Sequence, residues 1–343
     1  MEKSMNKICY CTYFDKNYLA RGLLLIESLH QHSSVSFHMW VLCLDDSVYS
    51  ALLQLNLPAV KLIRLSEIEN DDKLLKESKN NRSLVEYYWT LSPVLPLYIM
   101  THYPQYDWYI YLDADQYFFN DPVLAFSDTV DASILIVEHN FSPHLQHLTV
   151  NGRFNIGFVG FRGDSVGKSS LNWWRARCIE WCYDRQEDGK YGDQKYLDNW
   201  PNMFARLKIL NHPGISLAQW NIEQYSLSYD DKGYIRIDDA PLILYHFHGI
   251  KREFYCFYSM ELQRVSGILR CAVYGFYLKR LLGLKKKTQS LLQQNIHPVA
   301  SIRNRKIDEG SKVSLRNRLR VIYGFVRRLL RREFIFALGR YTW

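Results

Sequence analysis

The chain has 343 residues, of which 48% are hydrophobic and 15% aromatic, with 17 Gly and 10 Pro; this excludes a disordered or collagen-like polymer and allows one large domain or two smaller ones. The net charge of +8 is unevenly placed: from Lys279 onward 17 Lys and Arg face 3 acidic residues, a net of +14, while the first 278 residues sum to −6.

In chain order, "NKICYCTY" (6–13) predicts a strand and the apolar run from Tyr18 to His32 a helix. "SFHMWVLCL" (36–44) predicts a second strand, followed by a helix near 46–55 and a strand at 60–65. This βαβαβ order argues for a mixed, mostly parallel α/β sheet covered by helices. "DDKLLKESKNNRS" (71–83) reads as a loop or exposed helix, and "TLSPVLPLYIM" (90–100) as a helix with prolines near its start. "DWYIYLDAD" (107–115) reads as a strand, as do 132–137, 155–161 and 242–248, with a helix from Lys168 to about Tyr183. Seven cysteines form no Cys-x-x-Cys pair. They read as reduced core thiols of a cytosolic protein. The polar N-terminus does not resemble a signal peptide, and no 18-residue apolar stretch is present to span a bilayer.

The chemistry starts at Asp113 and Asp115. Residues i and i+2 of an extended segment point the same way, so two carboxylates can share one divalent cation whose charge offsets their repulsion. A bare Asp-x-Asp also fits two solvated turn acids. Rival chemistries fail on spacing. A haloacid dehalogenase phosphatase needs Thr or Val where Tyr117 stands, and "GDSVGKS" (163–169) has three residues between its glycines where a P-loop has four. It reads instead as a turn capping the helix that follows. There is no Gly-x-Gly-x-x-Gly. A cation held by two aspartates wants further ligands, and "HFHGIKRE" (246–253) supplies His246 and His248 on one strand face, then basic residues suited to a pyrophosphate.

"YLDAD", "FNIGFVGF" (154–161), "GDQKYL" (192–197) and "HFHG" (246–249), in this order, resemble the motif series of metal-dependent GT-A fold glycosyltransferases. The family they resemble is the retaining one of glycogenin and bacterial lipopolysaccharide galactosyltransferases. "TYFDKNYLARGLLLIESL" (12–29) is similar to that family's opening strand and helix, and the resemblance spans residues 6–253. It implies that Asp113, Asp115 and His246 hold Mn²⁺ or Mg²⁺ bridging the phosphates of a UDP-sugar, with His248 in a variable position. It implies that Thr12, Tyr13 and Tyr18 lie near the uridine, and that Asn155 and Gly157 match an Asn-x-Gly strand. Gly249 and Arg252 would flank the diphosphate, although Arg252-Glu253 replaces the family's Lys and Pro-Trp. Asp193 and Gln194 would act beside the reacting sugar, as catalytic residues. Trp174, Cys178 and Trp181 read as core, whereas Trp220 and Asn221 are candidates to contact an acceptor sugar.

The expected organisation is a catalytic domain over 1–255 and a helical, basic amphipathic region over 256–343. In 314–338, Leu315, Leu319, Ile322, Val326, Leu329 and Leu330 share one helical stripe beside Arg316, Arg320, Arg327 and Arg331, and a second such segment spans 262–284. An apolar stripe suits an anionic membrane surface better than nucleic acid. The expected enzyme therefore works in the cytoplasm at the inner face of the plasma membrane, on a glycan or lipid-linked glycan of bacterial surface polysaccharide. The alternative is a non-catalytic membrane- or nucleic-acid-associated adaptor with a degenerate GT-A fold.

Overall fold

The run Ile-Cys-Tyr-Cys-Thr-Tyr-Phe forms β1 (Ile8–Phe14), whose near-continuous burial fits a strand covered on both faces. In the computed structural model, which describes residues 7–126, 129–253, 257–259, 267–294, 334–338 and 341–342, the chain divides into two compact units, the first ending at His248 and the second beginning at Gly249. The first unit continues through α1 (Leu19–His32), β2 (Phe37–Cys43), α2 (Asp46–Leu55) and β3 (Val60–Arg64). The polar 71–83 segment carries the end of α3 (Leu65–Asp71) and the short α4 (Lys73–Ser78).

Next comes α5 (Leu84–His102), longer than the sequence suggests, with Pro93 and Pro96 in its interior rather than near its start. The reason is a capping box. Ser83 N–H donates to Glu86 Oε2 at 2.7 Å and Glu86 N–H donates to Ser83 Oγ at 3.3 Å, so the helix nucleates about two and a half turns before Pro93. After β4 (Trp108–Leu112) and β5 (Gln116–Phe118) come β6 (Ile134–Glu138), β7 (Phe154–Arg162) and α6 (Ser165–Glu180). Asp164 caps α6 by accepting from Gly167 N–H at 2.8 Å, the capping role expected of the "GDSVGKS" turn. The short α7 (Trp200–Met203) and β8 (Leu207–Ile209) follow.

The main sheet has the order β3-β2-β1-β4-β7-β6-β8, parallel from β3 to β4 and between β6 and β8, with β7 antiparallel to both neighbours. Alternation along β1 sends Cys9 and Cys11 into the core layer containing Leu91 and Val94 of α5 and Trp174 of α6. A second sheet positions the site. Within it β5 pairs antiparallel with β13 (Leu244–His246), which pairs parallel with β9 (Leu217–Ala218). Three further short strands, β10 (Leu227–Tyr229), β11 (Ile235–Ile237) and β12 (Ala240–Pro241), form an antiparallel sheet between β9 and β13 in the chain.

The second unit contains β14 (Lys251–Glu253), β15 (Phe257–Ser259), β16 (Phe334–Leu338) and β17 (Tyr341–Thr342) in one antiparallel sheet. Its helical stretch begins at residue 267, runs as a wide π-type turn over Leu269–Gly275 and continues as α8 (Phe276–Gln294). The end of the amphipathic helix expected over 314–338 is instead β16; Phe-Ile-Phe has strand propensity, and β16 finds β15 as a partner. Residues 314–333 and 262–266 lie outside the described residues. Cys9, Cys11, Cys43, Cys178 and Cys182 are buried free thiols as expected, while Cys271 is exposed. Among the described residues no helix is long and apolar enough to cross a membrane.

Candidate active site

Asp113 and Asp115 are not on an extended segment. The chain leaves β4 at Leu112 and turns, with Gln116 N–H donating to Asp113 C=O at 3.3 Å. Two other backbone bonds fix the turn: Asp113 N–H to Gly157 C=O at 3.2 Å and Phe247 N–H to Asp115 C=O at 2.9 Å. Because β13 sets His246 opposite Gln116, the imidazole meets both carboxylates. His246 Nε2 lies 3.0 Å from Asp115 Oδ1 and 3.6 Å from Asp113 Oδ2. Tyr111 donates its hydroxyl to Asp113 Oδ1 at 2.9 Å.

The charges are mutually adjusted. Burial would raise the Asp115 carboxyl, but the His246 imidazolium and its hydrogen bond hold it well below the usual carboxylate range. Burial and then Asp115 push Asp113 upward, against the pull of His246. Burial would lower His246, yet the bonded Asp115 and then Asp113 carry it above its ordinary value. The ligand atoms of Asp115, His246 and His248 lie within 4.8 Å of one another, a set able to hold a metal ion. His248 is exposed, whereas Asp115 and His246 are buried.

Of the other expected residues, Asn155 folds back under the turn, accepting from Gly157 N–H at 2.8 Å through Oδ1. Gly157 is needed there: a Cβ would sit 2.6 Å from Asn155 Oδ1, 2.7 Å from Gln116 Nε2 and 3.1 Å from Asp113 Oδ2. Asp193 is buried, with Oδ2 lacking a partner among the described residues, and Trp174 donates its indole N–H to the Asp193 carbonyl at 2.9 Å. Burial raises the Asp193 carboxyl to about 7, opposed by a Ser92 hydrogen bond and reinforced by Asp113. Gln194 donates to the Asn151 carbonyl at 2.9 Å. Tyr13 meets Ser92 at 3.1 Å, so Tyr13, Ser92, Asp193 and Asp113 form one neighbourhood. Thr12 is fully buried in β1. Tyr18 is 42% exposed, with the Arg21 guanidinium 4.6 Å over its ring. Gly249 takes a left-handed φ of 71°, and Arg252 pairs with Tyr258 across β14 and β15, both in the second unit.

Two expectations fail. Trp220 is only 5% exposed and packs its ring edge-on against His139, His246 and His248, at 5.2, 5.3 and 5.7 Å, so it is a wall for the histidines rather than an open sugar platform. Asn221 is buried and committed. It accepts from Ala218 N–H at 3.0 Å and donates to the carbonyls of His139 and Ser216 at 2.9 and 2.7 Å. Conversely, the sequence does not mark His139. Its Nε2 accepts from Asn155 Nδ2 at 3.1 Å while Nδ1 faces the Arg153 carbonyl at 3.3 Å, and burial lowers its pKa to about 3, which keeps it neutral. A lone histidine at a strand end gives no sequence signal for such a role.

The family model for glycosyl transferase family 8 matches residues 9–251. The chain belongs to glycosyl transferase family 8. This family 8 enzyme is thus a nucleotide-sugar-dependent glycosyltransferase with a GT-A fold, as its motif series implies. The uncharacterized proteins YfnD and YfnF of Bacillus subtilis (strain 168) are 34% and 33% identical to it, each over 71% of this chain and over 78% and 81% of their own lengths. Among solved structures, galactosyltransferase LgtC in complex with donor and acceptor sugar analogs aligns at 13% identity and a TM-score of 0.47, covering 84% of this chain and 96% of that one. The WbbM bifunctional glycosyltransferase aligns at 14% identity and 0.46, over 74% and 47%. The membership itself rests on the sequence match.

Proposed function

We propose that this family 8 glycosyltransferase uses a UDP-sugar, holds Mn²⁺ or Mg²⁺ through Asp113, Asp115 and His246, and transfers the sugar with retention of configuration to a glycan or lipid-linked glycan acceptor. The observation that carries the cation is the convergence of two carboxylates on one buried imidazole nitrogen, at 3.0 and 3.6 Å. The donor set fits: carboxylates suit Mg²⁺ and Mn²⁺, and an imidazole shifts the preference toward Mn²⁺. His248 adds a fourth ligand of the same kind. When bound, the ion neutralises charge that builds on the leaving diphosphate.

The remaining roles belong to the chain. Tyr111 orients Asp113, and the Gly157 backbone leaves room for the Asp113 carboxylate. Asp193 and Gln194 orient the transferred sugar, and Thr12, Tyr13 and Tyr18 flank the nucleoside. Gly249 and Arg252 serve the diphosphate. The basic C-terminal region, domain 256–343 following a catalytic domain of 1–255 in the chain, supports work on the cytoplasmic face of the plasma membrane in surface polysaccharide synthesis. The test is UDP release from a panel of UDP-sugars with and without Mn²⁺. Turnover that needs the ion and is lost in a folded Asp115→Asn variant supports the proposal; metal-independent turnover, or none with any donor, overturns it.

A further inference from the structure

A cavity of about 10 Å³ is lined by Gln116, Asn155, Ser216, Trp220 and His246 among others, room for one water and no more. Three buried polar atoms of these residues have no hydrogen-bond partner among the described residues: Gln116 Oε1, His246 Nδ1 and Trp220 Nε1. The residues are 3%, 6% and 5% exposed. A buried polar atom left unsatisfied costs about 1–3 kcal/mol, so three on residues lining one small cavity, whose other walls include the apolar Val137, Phe158, Ile215, Leu217 and Leu244, call for a common partner. Their chemistry is complementary. The indole N–H only donates, the amide oxygen only accepts, and the imidazole nitrogen donates when protonated. The register places Gln116 opposite His246, and the Trp220 ring lies 5.3 Å from the His246 ring.

We propose that this cavity holds a single ordered water, which accepts from Trp220 Nε1–H and His246 Nδ1–H and donates to Gln116 Oε1, making Gln116 a positioning residue for His246. Three hydrogen bonds are the usual complement of a buried water. The inference rests on the reading of His246 as a cation ligand. A histidine that gives its Nε2 lone pair to a metal keeps its proton on Nδ1, and a buried Nδ1–H needs an acceptor that fixes the ring. Gln116 supplies that acceptor through the water, directly after the aspartate that the same imidazole meets.

The test has two arms, both on the full chain. In a high-resolution crystal structure of the metal-free wild type, a water is expected about 2.7–3.2 Å from each of the three atoms. A cavity without water density overturns the proposal. Calorimetric titration with Mn²⁺ alone should show Gln116→Met, near in length but lacking the acceptor, binding about 10–100-fold more weakly than wild type. A folded variant within about twofold of wild type overturns the positioning role. Should the variant not fold, ¹⁵N and ¹H spectra of the Mg²⁺-saturated wild type decide that role: an Nδ1–H of His246 held in a hydrogen bond and slow to exchange is expected, and an Nδ1–H that exchanges freely, or a proton on Nε2, refutes it. If wild type binds no ion, the cation proposal and the positioning role fall together, while the crystal structure still judges the water itself.

Discussion

His246 Nε2 stands 3.0 Å from Asp115 Oδ1, although 131 residues separate them, because β13 pairs with the strand that begins just after Asp115. The contact ties cation affinity to protons. Where Nε2 carries a proton it cannot ligate, and the carboxylates raise the imidazole above its ordinary value, so competition extends above the usual histidine range. Mn²⁺ should bind at least about fivefold more weakly at pH 6 than at pH 8. Calorimetry at the two pH values checks this, and a His246→Ala variant should lose most of the dependence along with most of the affinity.

Asp193 ties stability to pH in the opposite sense from an ordinary salt-bridged acid. Folded, it keeps its proton to about pH 7; unfolded, it releases it near 3.9. The folded state thus binds more protons across that window. The stabilisation is complete below the unfolded value and is lost as pH rises through about 7, by up to about 4 kcal/mol. Asp193→Asn should therefore melt higher than wild type at pH 8 and gain nothing at pH 4, measured in EDTA. Parallel melting curves at both pH values would remove the burial argument.

The order of strands and helices was legible because buried parallel strands and capped helices leave local marks, such as the run Ile8–Phe14 and the Asp164 cap. Asp113, Asp115 and His246 were legible as motif residues. The turn that gathers them was not, since a strand of three residues such as β5 has no periodicity to read and its pairing with β13 is long-range. Trp220 and Asn221 misled for the same reason. A loop in sequence became a buried wall once β9 joined β13, and the polar side chain was used up on backbone.

Asn221→Ala separates the two roles. Deleting an amide that satisfies three backbone groups should cost roughly 2–4 kcal/mol of stability. If Asn221 instead gripped an acceptor, denaturant midpoints would stay put and only the acceptor KM would rise.

The basic C-terminal region carries a prediction of its own. With a net of +14 from Lys279 onward, removal of residues 285–343 should abolish co-sedimentation with vesicles containing anionic phospholipid, and added salt should weaken binding of the full chain. Sedimentation unchanged by the truncation would place any lipid contact elsewhere.

Gly157 and Gly160 both lie in β7, yet an added methyl at each meets different neighbours. At Gly157 it runs into Asn155 Oδ1, Gln116 Nε2 and Asp113 Oδ2 at 2.6, 2.7 and 3.1 Å; at Gly160 its nearest neighbours are atoms of Leu135, from 3.2 Å. Overpacking of this kind costs about 1–3 kcal/mol at either site. Only Gly157→Ala displaces a carboxylate and the side chains beneath the turn. Both variants should lose thermal stability, but Mn²⁺ affinity should fall in Gly157→Ala alone, while Gly160→Ala titrates like wild type. Equal affinities in the two variants would mean that the floor of the turn does not shape the ligand set.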